Sequence, residues 1–436
     1  VTRPIVVINV VGLTPRLLPH APRISALGAS RAWTSPLPAV TSTSQATMLT
    51  GLSPREHGIV GNGWFYRDTQ EIRFWQQASS LVQGPKFYDG VETAKMFWWF
   101  NQSSGVKYSA TPKPHYGCDG SKVFDIIDNT GCDLTRKLGP FPFFSFWGPN
   151  AGLPASDWIA KATAAVIRKQ KPSLTLAYLP HLDYDYQRFD VQDVARVAEV
   201  DRCAGEIIDA ANEIGAIVIA VSEYGLGAVS RPVHLNRELR RRDWLTVRDG
   251  PFGEMLLPGE SEVFAVADHQ LAHVYVRNRD LIPEVRRELE SIDGVAAVIN
   301  PGDIELDHPR SGELIALADS DAWFTYYYWL DNQRAPDFAS TVDIHRKPGY
   351  DPCELFMTSK VRAIGRVAQK KLGMRYKMDV IPLDATLVKG SHGLHPSDDS
   401  DGPLIVGPGD LPDDMRGFAD YATNLLRGGA NDEQPR

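Results

Sequence analysis

Three nearly continuous apolar runs constrain this chain more than any other feature: Pro4 to Val11, Ser173 to Leu179 and Gly215 to Ser222. Such runs, without polar alternation, predict strands buried on both faces, as in a parallel sheet covered by helices. Between the second and third runs, Val194, Val197, Val200, Ala204, Ile207 and Ile208 recur at the spacing of one helix face, so 191–214 reads as an amphipathic helix. Strand, long helix, strand is a crossover unit and implies parallel pairing. A further helix is expected from Ser156, as N-cap, to Lys171. The expected fold class is α/β, a doubly wound, mainly parallel sheet with helices on both faces.

With 436 residues, the chain is too long for one ordinary core, so a large domain carrying an insertion is expected. Residues 64–150 are rich in aromatics and glycine and read as an irregular, partly buried excursion. Further on, Val263 to Val276 reads as a strand, Leu281 to Ile292 as a helix and Gly294 to Asn300 as another strand. The run Trp323 to Trp329 also reads as a strand, with Phe324, Tyr326 and Tyr328 on one face and Trp323, Thr325, Tyr327 and Trp329 on the other. Core packing is the commoner use of such aromatics, and stacking on a substrate the rarer one. Gly428 to Arg436 is polar and expected to fray.

A net charge of −8 argues against a nucleic-acid polymer as partner. No apolar run approaches the roughly 18 residues that span a bilayer. The start, Val1-Thr-Arg-Pro4, is neither an initiator methionine nor a signal peptide, and a removed leader leaves no trace in such a chain. Cys118, Cys132, Cys203 and Cys353 follow no metal-ligand spacing. Cys118 and Cys132 are a possible pair in an oxidising compartment, but scattered cysteines favour reduced thiols and a cytoplasmic location.

The densest chemistry lies between Pro38 and Asn62. A hydroxyl-rich loop, Val40-Thr-Ser-Thr-Ser44, feeds a short helix expected to begin near Thr43 or Ser44, and Thr50-Gly-Leu-Ser-Pro54 ends it. Backbone N–H groups at a helix start favour anions, which suits a hydroxyl that attacks phosphorus. From spacing alone, an ordinary Ser/Thr helix cap is the commoner reading.

Thr50-Gly-Leu-Ser-Pro-Arg-Glu-His-Gly-Ile59 resembles the nucleophile motif of nucleotide pyrophosphatases/phosphodiesterases in the alkaline phosphatase superfamily. The resemblance implies an alkaline phosphatase-like core, with Thr41 as nucleophile and Asn62 donating to phosphate oxygens. Thr43 is a second candidate for the nucleophile, because Ser-Thr-Ser follows Thr41 where the family often has Phe-Pro-Asn. The resemblance also implies divalent metal, zinc above all, held as one or two ions by carboxylates and histidines at strand ends.

The family's ligand positions are only partly kept. The aspartate expected before Gly12 is Val11, with Asn9 two residues back on the same strand face. Asp183 stands at the next aspartate, and Gln187 where a histidine follows it four residues later; His181 and Asp185 lie nearby. Glu223-Tyr224-Gly225 replaces Asp-His-Gly. His392-Gly393 matches the family's closing His-Gly, with His395 just beyond. The expected ligands are therefore Asp183, Glu223 and His392. Asp343 and His345, two apart on one face of an extended segment, are recruits from the insertion. Asp268, His269, His273 and His234 are further candidates. Tyr224, Gln187 and Arg346 are expected to touch substrate.

Because the motifs on either side belong to one site, residues 231–388 read as an inserted α+β cap, 1–230 with 389–427 as the core, and 428–436 as a flexible tail. The resemblance implies hydrolysis of a small phosphate mono- or diester, or a phosphonate, through a phospho-Thr41 intermediate. The alternatives are a transferase on the same scaffold and a ligand-binding member without turnover. The sequence does not define oligomeric state.

Overall fold

The computed structural model describes residues 3–118, 122–191 and 193–428, so the tail expected over 428–436 lies outside the described residues except for Gly428. Strands β1 (Ile5–Val10), β2 (Ala29–Ala32), β3 (Thr93–Met96), β4 (Tyr108–Pro112), β5 (Ile126–Asp128), β6 (Leu174–Leu179) and β7 (Ile217–Val221) belong to one sheet. Residues after β7 add β8 (Val263–Asp268), β9 (Leu271–Val276), β10 (Val295–Ile299) and β11 (Leu314–Ala318), and the chain returns to the first sheet with β12 (Leu404–Gly407). The first sheet has eight strands in the order β2-β12-β7-β1-β6-β3-β4-β5. Its centre, β7-β1-β6-β3-β4, is parallel. The strands β12, β2 and β5 pair antiparallel at its two sides.

The apolar runs account for this centre. All of β1 and β6 is buried, as strands covered on both faces must be. Helices α1 (Thr41–Thr50), α2 (Leu153–Gln170), α3 (His181–Arg188) and α4 (Val194–Glu213) follow in chain order. The helix α4 is the crossover between β6 and β7, and Asp193 caps it by accepting from the Ala195 N–H. The helix α2 starts three residues before its predicted cap. Pro154 sits in its first turn after Gly152, where a fixed φ and a missing N–H cost nothing, and Ser156 lies inside the helix.

Three further expectations are corrected. The aromatic segment 64–150 is not merely an excursion, since β3, β4 and β5 extend the central sheet from it. Val263 to Val276 is two strands, a hairpin that reverses at His269 and Gln270. Its turn has no Asn-Gly or Asp-Gly signal, and His269 takes a left-handed φ of 63° instead. Trp323 to Trp329 is a strand only up to Phe324, which belongs to a short parallel pair with Arg231–Val233. All seven residues are buried, so two faces never form and core packing is what they do.

The four strands β8-β9-β11-β10 form an antiparallel sheet with its own apolar core. Helix α5 (Ile282–Glu290) packs there, with Val285 and Leu289 buried. A buried ion cluster ties residues 347–354 together: Lys347 Nζ lies 2.6 Å from Asp351 and 2.7 Å from Glu354. The same segment presents Tyr350, so this cluster sets where that ring stands. Replacing Lys347 with Met strands two buried carboxyls and is expected to cost about 3–5 kcal/mol in chemical denaturation. Adding Asp351→Asn and Glu354→Gln should recover most of the loss; an unaltered unfolding midpoint for the single variant contradicts the assignment.

Candidate active site

Parallel strands deliver their following loops to one edge, and here the carboxyl ends of β1, β6 and β7 are in register. Asn9 stands opposite both Tyr178 and Val221. The next turns place Asp183 in the first turn of α3 and Glu223-Tyr224 just past β7. Helix α1 begins at Thr41 itself, earlier than Thr43 or Ser44, because Val40 is the last extended residue. Thr41 Oγ1 lies 3.1 Å from Tyr224 Oη. The Thr43 hydroxyl has no partner among the described residues.

Glu223 is held by amides rather than by cations. Asn9 Nδ2 donates to its Oε1 at 2.5 Å and Gln45 Nε2 to the same oxygen at 2.6 Å. Gln45 is oriented by the Trp99 N–H, which donates to its Oε1 at 2.7 Å. Burial pushes the Glu223 carboxyl up to about 8, partly offset by hydrogen bonds from Gln45, Asn9 and Thr41. Its Oε2 has no partner among the described residues.

Asp183 is treated alike. Gln187 Nε2 donates to its Oδ2 at 2.9 Å, while Gln187 Oε1 accepts from Tyr350 Oη at 2.7 Å. Burial raises Asp183 to about 7, and burial likewise raises Asp268 to about 7. His392 Nδ1 lies 2.7 Å from the Ala39 carbonyl, so Nδ1 carries the hydrogen and donates. Its Nε2 then presents a lone pair 3.5 Å from Asp183 Oδ1. Burial lowers His392 to about 3, so a proton held by this pair sits on Asp183 and not on the imidazole.

The hairpin of β8 and β9 contributes Asp268 and His269 to the site. Asp268 accepts from the Asn62 N–H at 2.7 Å and from Asn62 Nδ2 at 3.1 Å, and Asn62 Oδ1 accepts from the Ser42 N–H at 3.0 Å. The asparagine expected to face phosphate is thus committed to an aspartate. Four rings stack in a column: Tyr224 on His392 at 3.6 Å, His392 on His269 at 3.6 Å, and His269 on Tyr350 at 3.7 Å. Gly393, at φ 119°, lets the His392 segment approach, since a Cβ there would come within 3.0 Å of the Gln270 nitrogen. Thr41 is 3% exposed beneath this column.

The donor set does not fit a two-metal cage. Among the described residues, no group of three or more His, Cys, Asp or Glu side chains converges as a metal site needs. Val11 offers no donor, Tyr224 points its phenol at Thr41, and both polar ends of Gln187 are taken. Asp183 Oδ1 and His392 Nε2 face each other without other partners, and Glu223 Oε2 is also unpartnered among the described residues, still short of the roughly four donors that each zinc takes.

Of the predicted site residues, Thr41, Asn62, Asp183, Gln187, Glu223, Tyr224 and His392 come together. The recruits Asp343 and His345 do not join them. Asp343 pairs with Lys122 at 3.2 Å and Arg346 at 3.5 Å, and His345 Nδ1 lies against the Phe74 carbonyl. Arg346 is largely exposed in that local pair. His273 bonds the Val60 carbonyl and His234 the Thr325 hydroxyl, both structural contacts. Gln45 and Tyr350 escaped the sequence reading. Gln45 sits one turn after Thr41 on α1, a spacing that does carry a signal; Tyr350 has none.

The family model described as type I phosphodiesterase/nucleotide pyrophosphatase matches residues 5–351. Among solved structures, phosphonoacetate hydrolase from Sinorhizobium meliloti 1021, with phosphonoformate or phosphonoacetate bound, superposes with a TM-score of 0.61 at 16% identity, covering 98% of this chain and 96% of that one. Murine ectonucleotide pyrophosphatase/phosphodiesterase 5 superposes with a TM-score of 0.56 at 14% identity, covering 98% and 95%. That protein has also been solved as an inactive threonine-to-alanine form in complex with AMP. With the threonine-bearing motif at the start of α1, the parallel sheet behind it and a match over most of its length, the chain belongs to the type I phosphodiesterase/nucleotide pyrophosphatase family, phosphoester hydrolases of the alkaline phosphatase superfamily.

Proposed function

We propose that the chain hydrolyses a small phosphate ester or phosphonate with Thr41 as the nucleophile, and that it does so through hydrogen-bonding acids and amides of its own. The observation that carries this reading is the placement of Thr41 Oγ1 at the start of α1, 3.1 Å from the Oη of Tyr224, the residue that follows Glu223. Support for threonine chemistry also comes from the murine relative, whose threonine-to-alanine form is described as inactive.

Glu223 in its ionised form takes the Thr41 proton as the threonine oxygen bonds to phosphorus and the leaving oxygen departs. The protonated Asp183 donates a hydrogen bond to developing charge, as a neutral buried acid can. Glu223 passes that proton to the departing oxygen; water then attacks the phospho-threonine, Glu223 takes the water's proton and returns it to Thr41 Oγ1 as the bond from that oxygen to phosphorus breaks and the phosphorylated product is released. Backbone N–H groups of the first turn of α1 favour the anion throughout. No step is assigned to metal, because the donor set does not fit one.

A second reading, ligand binding without turnover, is favoured by the closed ring column over Thr41. The two separate on a bis-aryl phosphate and an aryl phosphonate. Thr41→Ala is expected to lower kcat by a factor on the order of 10³ or more, and mass spectrometry of quenched wild-type protein should find phosphate on Thr41. Turnover unchanged by Thr41→Ala contradicts the nucleophile. Substrate binding without any turnover establishes the second reading.

The base must be ionised and Asp183 protonated, so kcat should rise with pH to a maximum between about 7, where Asp183 titrates, and about 8, where Glu223 does, and then fall. Glu223→Gln should remove that rise and lower kcat by about 10²–10⁴. A profile that is flat from pH 6 to 9 in the wild type, on the order of the range spanned by perturbed carboxyls, argues against this base.

A further inference from the structure

The segment between Thr358 and Val380 leaves the body of the protein and returns to it, and its base is closed by the Thr358 N–H donating to the Val380 carbonyl at 2.8 Å. It carries helix α6 (Lys360–Lys371), in which no residue is buried. The helix is held from one side only: Arg362 and Arg366 both pair with Asp379, and Ala363 packs against the core of the β8-β9-β11-β10 sheet. On a helical projection, Val361, Ile364, Ala368 and Leu372 fall within about 80° of arc on the opposite side. Val361 is 79% exposed, Ile364 69% and Leu372 73%, and Met374 beyond the helix is 48% exposed.

Charge sets this segment apart as sharply as exposure does. From Lys360 to Lys377 there is no aspartate or glutamate, in a chain whose net charge is −8. Lys360 and Lys371 border the apolar stripe along one edge, and Arg375 and Lys377 follow soon after the helix. An outward apolar stripe edged by lysines satisfies two requirements together at one kind of surface, the interface of an anionic bilayer, where side chains enter the acyl boundary and lysine stems reach back to phosphate. A second copy is a poorer occupant, because apposing two such stripes about a twofold axis brings the lysines of one against those of the other.

We propose that α6 docks this protein peripherally onto an anionic lipid surface. The inference rests on the exposed helix and not on the chemistry at Thr41. Among the described residues no helix is long and apolar enough to cross a membrane, so the contact is one that lies on the surface.

Flotation of the full chain with mixed phosphatidylglycerol–phosphatidylcholine vesicles and with pure phosphatidylcholine vesicles tests it. Binding is expected to the mixed vesicles, to weaken steeply with salt, and to be near absent on phosphatidylcholine. Lys360→Gln with Lys371→Gln and Arg375→Gln should lower partitioning on the order of 100-fold. Ile364→Asp with Leu372→Asp should lower it at least about tenfold. These side chains are exposed, so circular dichroism and the unfolding midpoint should stay as in the wild type. Equal retention on both vesicle types, unchanged binding in either variant, or no binding at low salt overturns the proposal. So does a wild-type dimer in size-exclusion chromatography that Ile364→Asp abolishes without any vesicle binding, which assigns the stripe to a second copy.

Discussion

Everything in this molecule depends on parallel strand pairing at the centre of the sheet. A parallel strand carries all its following loops to one edge, and the register of β1 between β6 and β7 puts Asn9, Tyr178 and Val221 side by side at that edge. The apolar runs that make those strands stable are therefore also what brings Asp183, Glu223 and Tyr224 within reach of Thr41. Helices over both faces exclude water from the same edge. Burial then decides the protonation states there, holding three carboxyls above their ordinary range and His392 below its own.

Such burial costs free energy where polar atoms go unsatisfied, and the site offsets part of that cost with neutral donors. Amides of Asn9, Gln45, Asn62 and Gln187 donate to Glu223, Asp268 and Asp183. Where a metal-dependent member of this superfamily is expected to hold carboxylates and imidazoles around cations, this chain has substituted side chains that hydrogen-bond to one another. The replacements at Val11, Gln187 and Tyr224 are coherent: Gln187 binds Asp183, Tyr224 binds Thr41, and both lead into the ring column that reaches Tyr350.

How much of this was legible in the sequence follows from how local each determinant is. Apolar runs, the α4 periodicity and the Thr50 to Ile59 motif are local, and they located the sheet, the crossover and the segment that carries Thr41. The hairpin at His269 was read as one strand because its turn uses a strained left-handed histidine, fixed by stacking against residues far away in the chain. The role of Asp268 was equally hidden, since its partner Asn62 lies 206 residues away in the chain. Asp343 and His345 had the right spacing for a ligand pair, but Lys122 and the Phe74 carbonyl, both remote in sequence, take them. Aromatic alternation over Trp323 to Trp329 failed because burial on all sides removes any reason for a polar face.

The central claim is that the side chains around Thr41 are tied largely to one another by hydrogen bonds and do not form a two-metal cage. Calorimetric titration of chelator-treated full chain with zinc measures that directly. The account predicts at most weak binding, unaltered by Thr41→Ala. Two tight sites per chain, or one tight site lost on His392→Ala with Asp183→Asn, would contradict it.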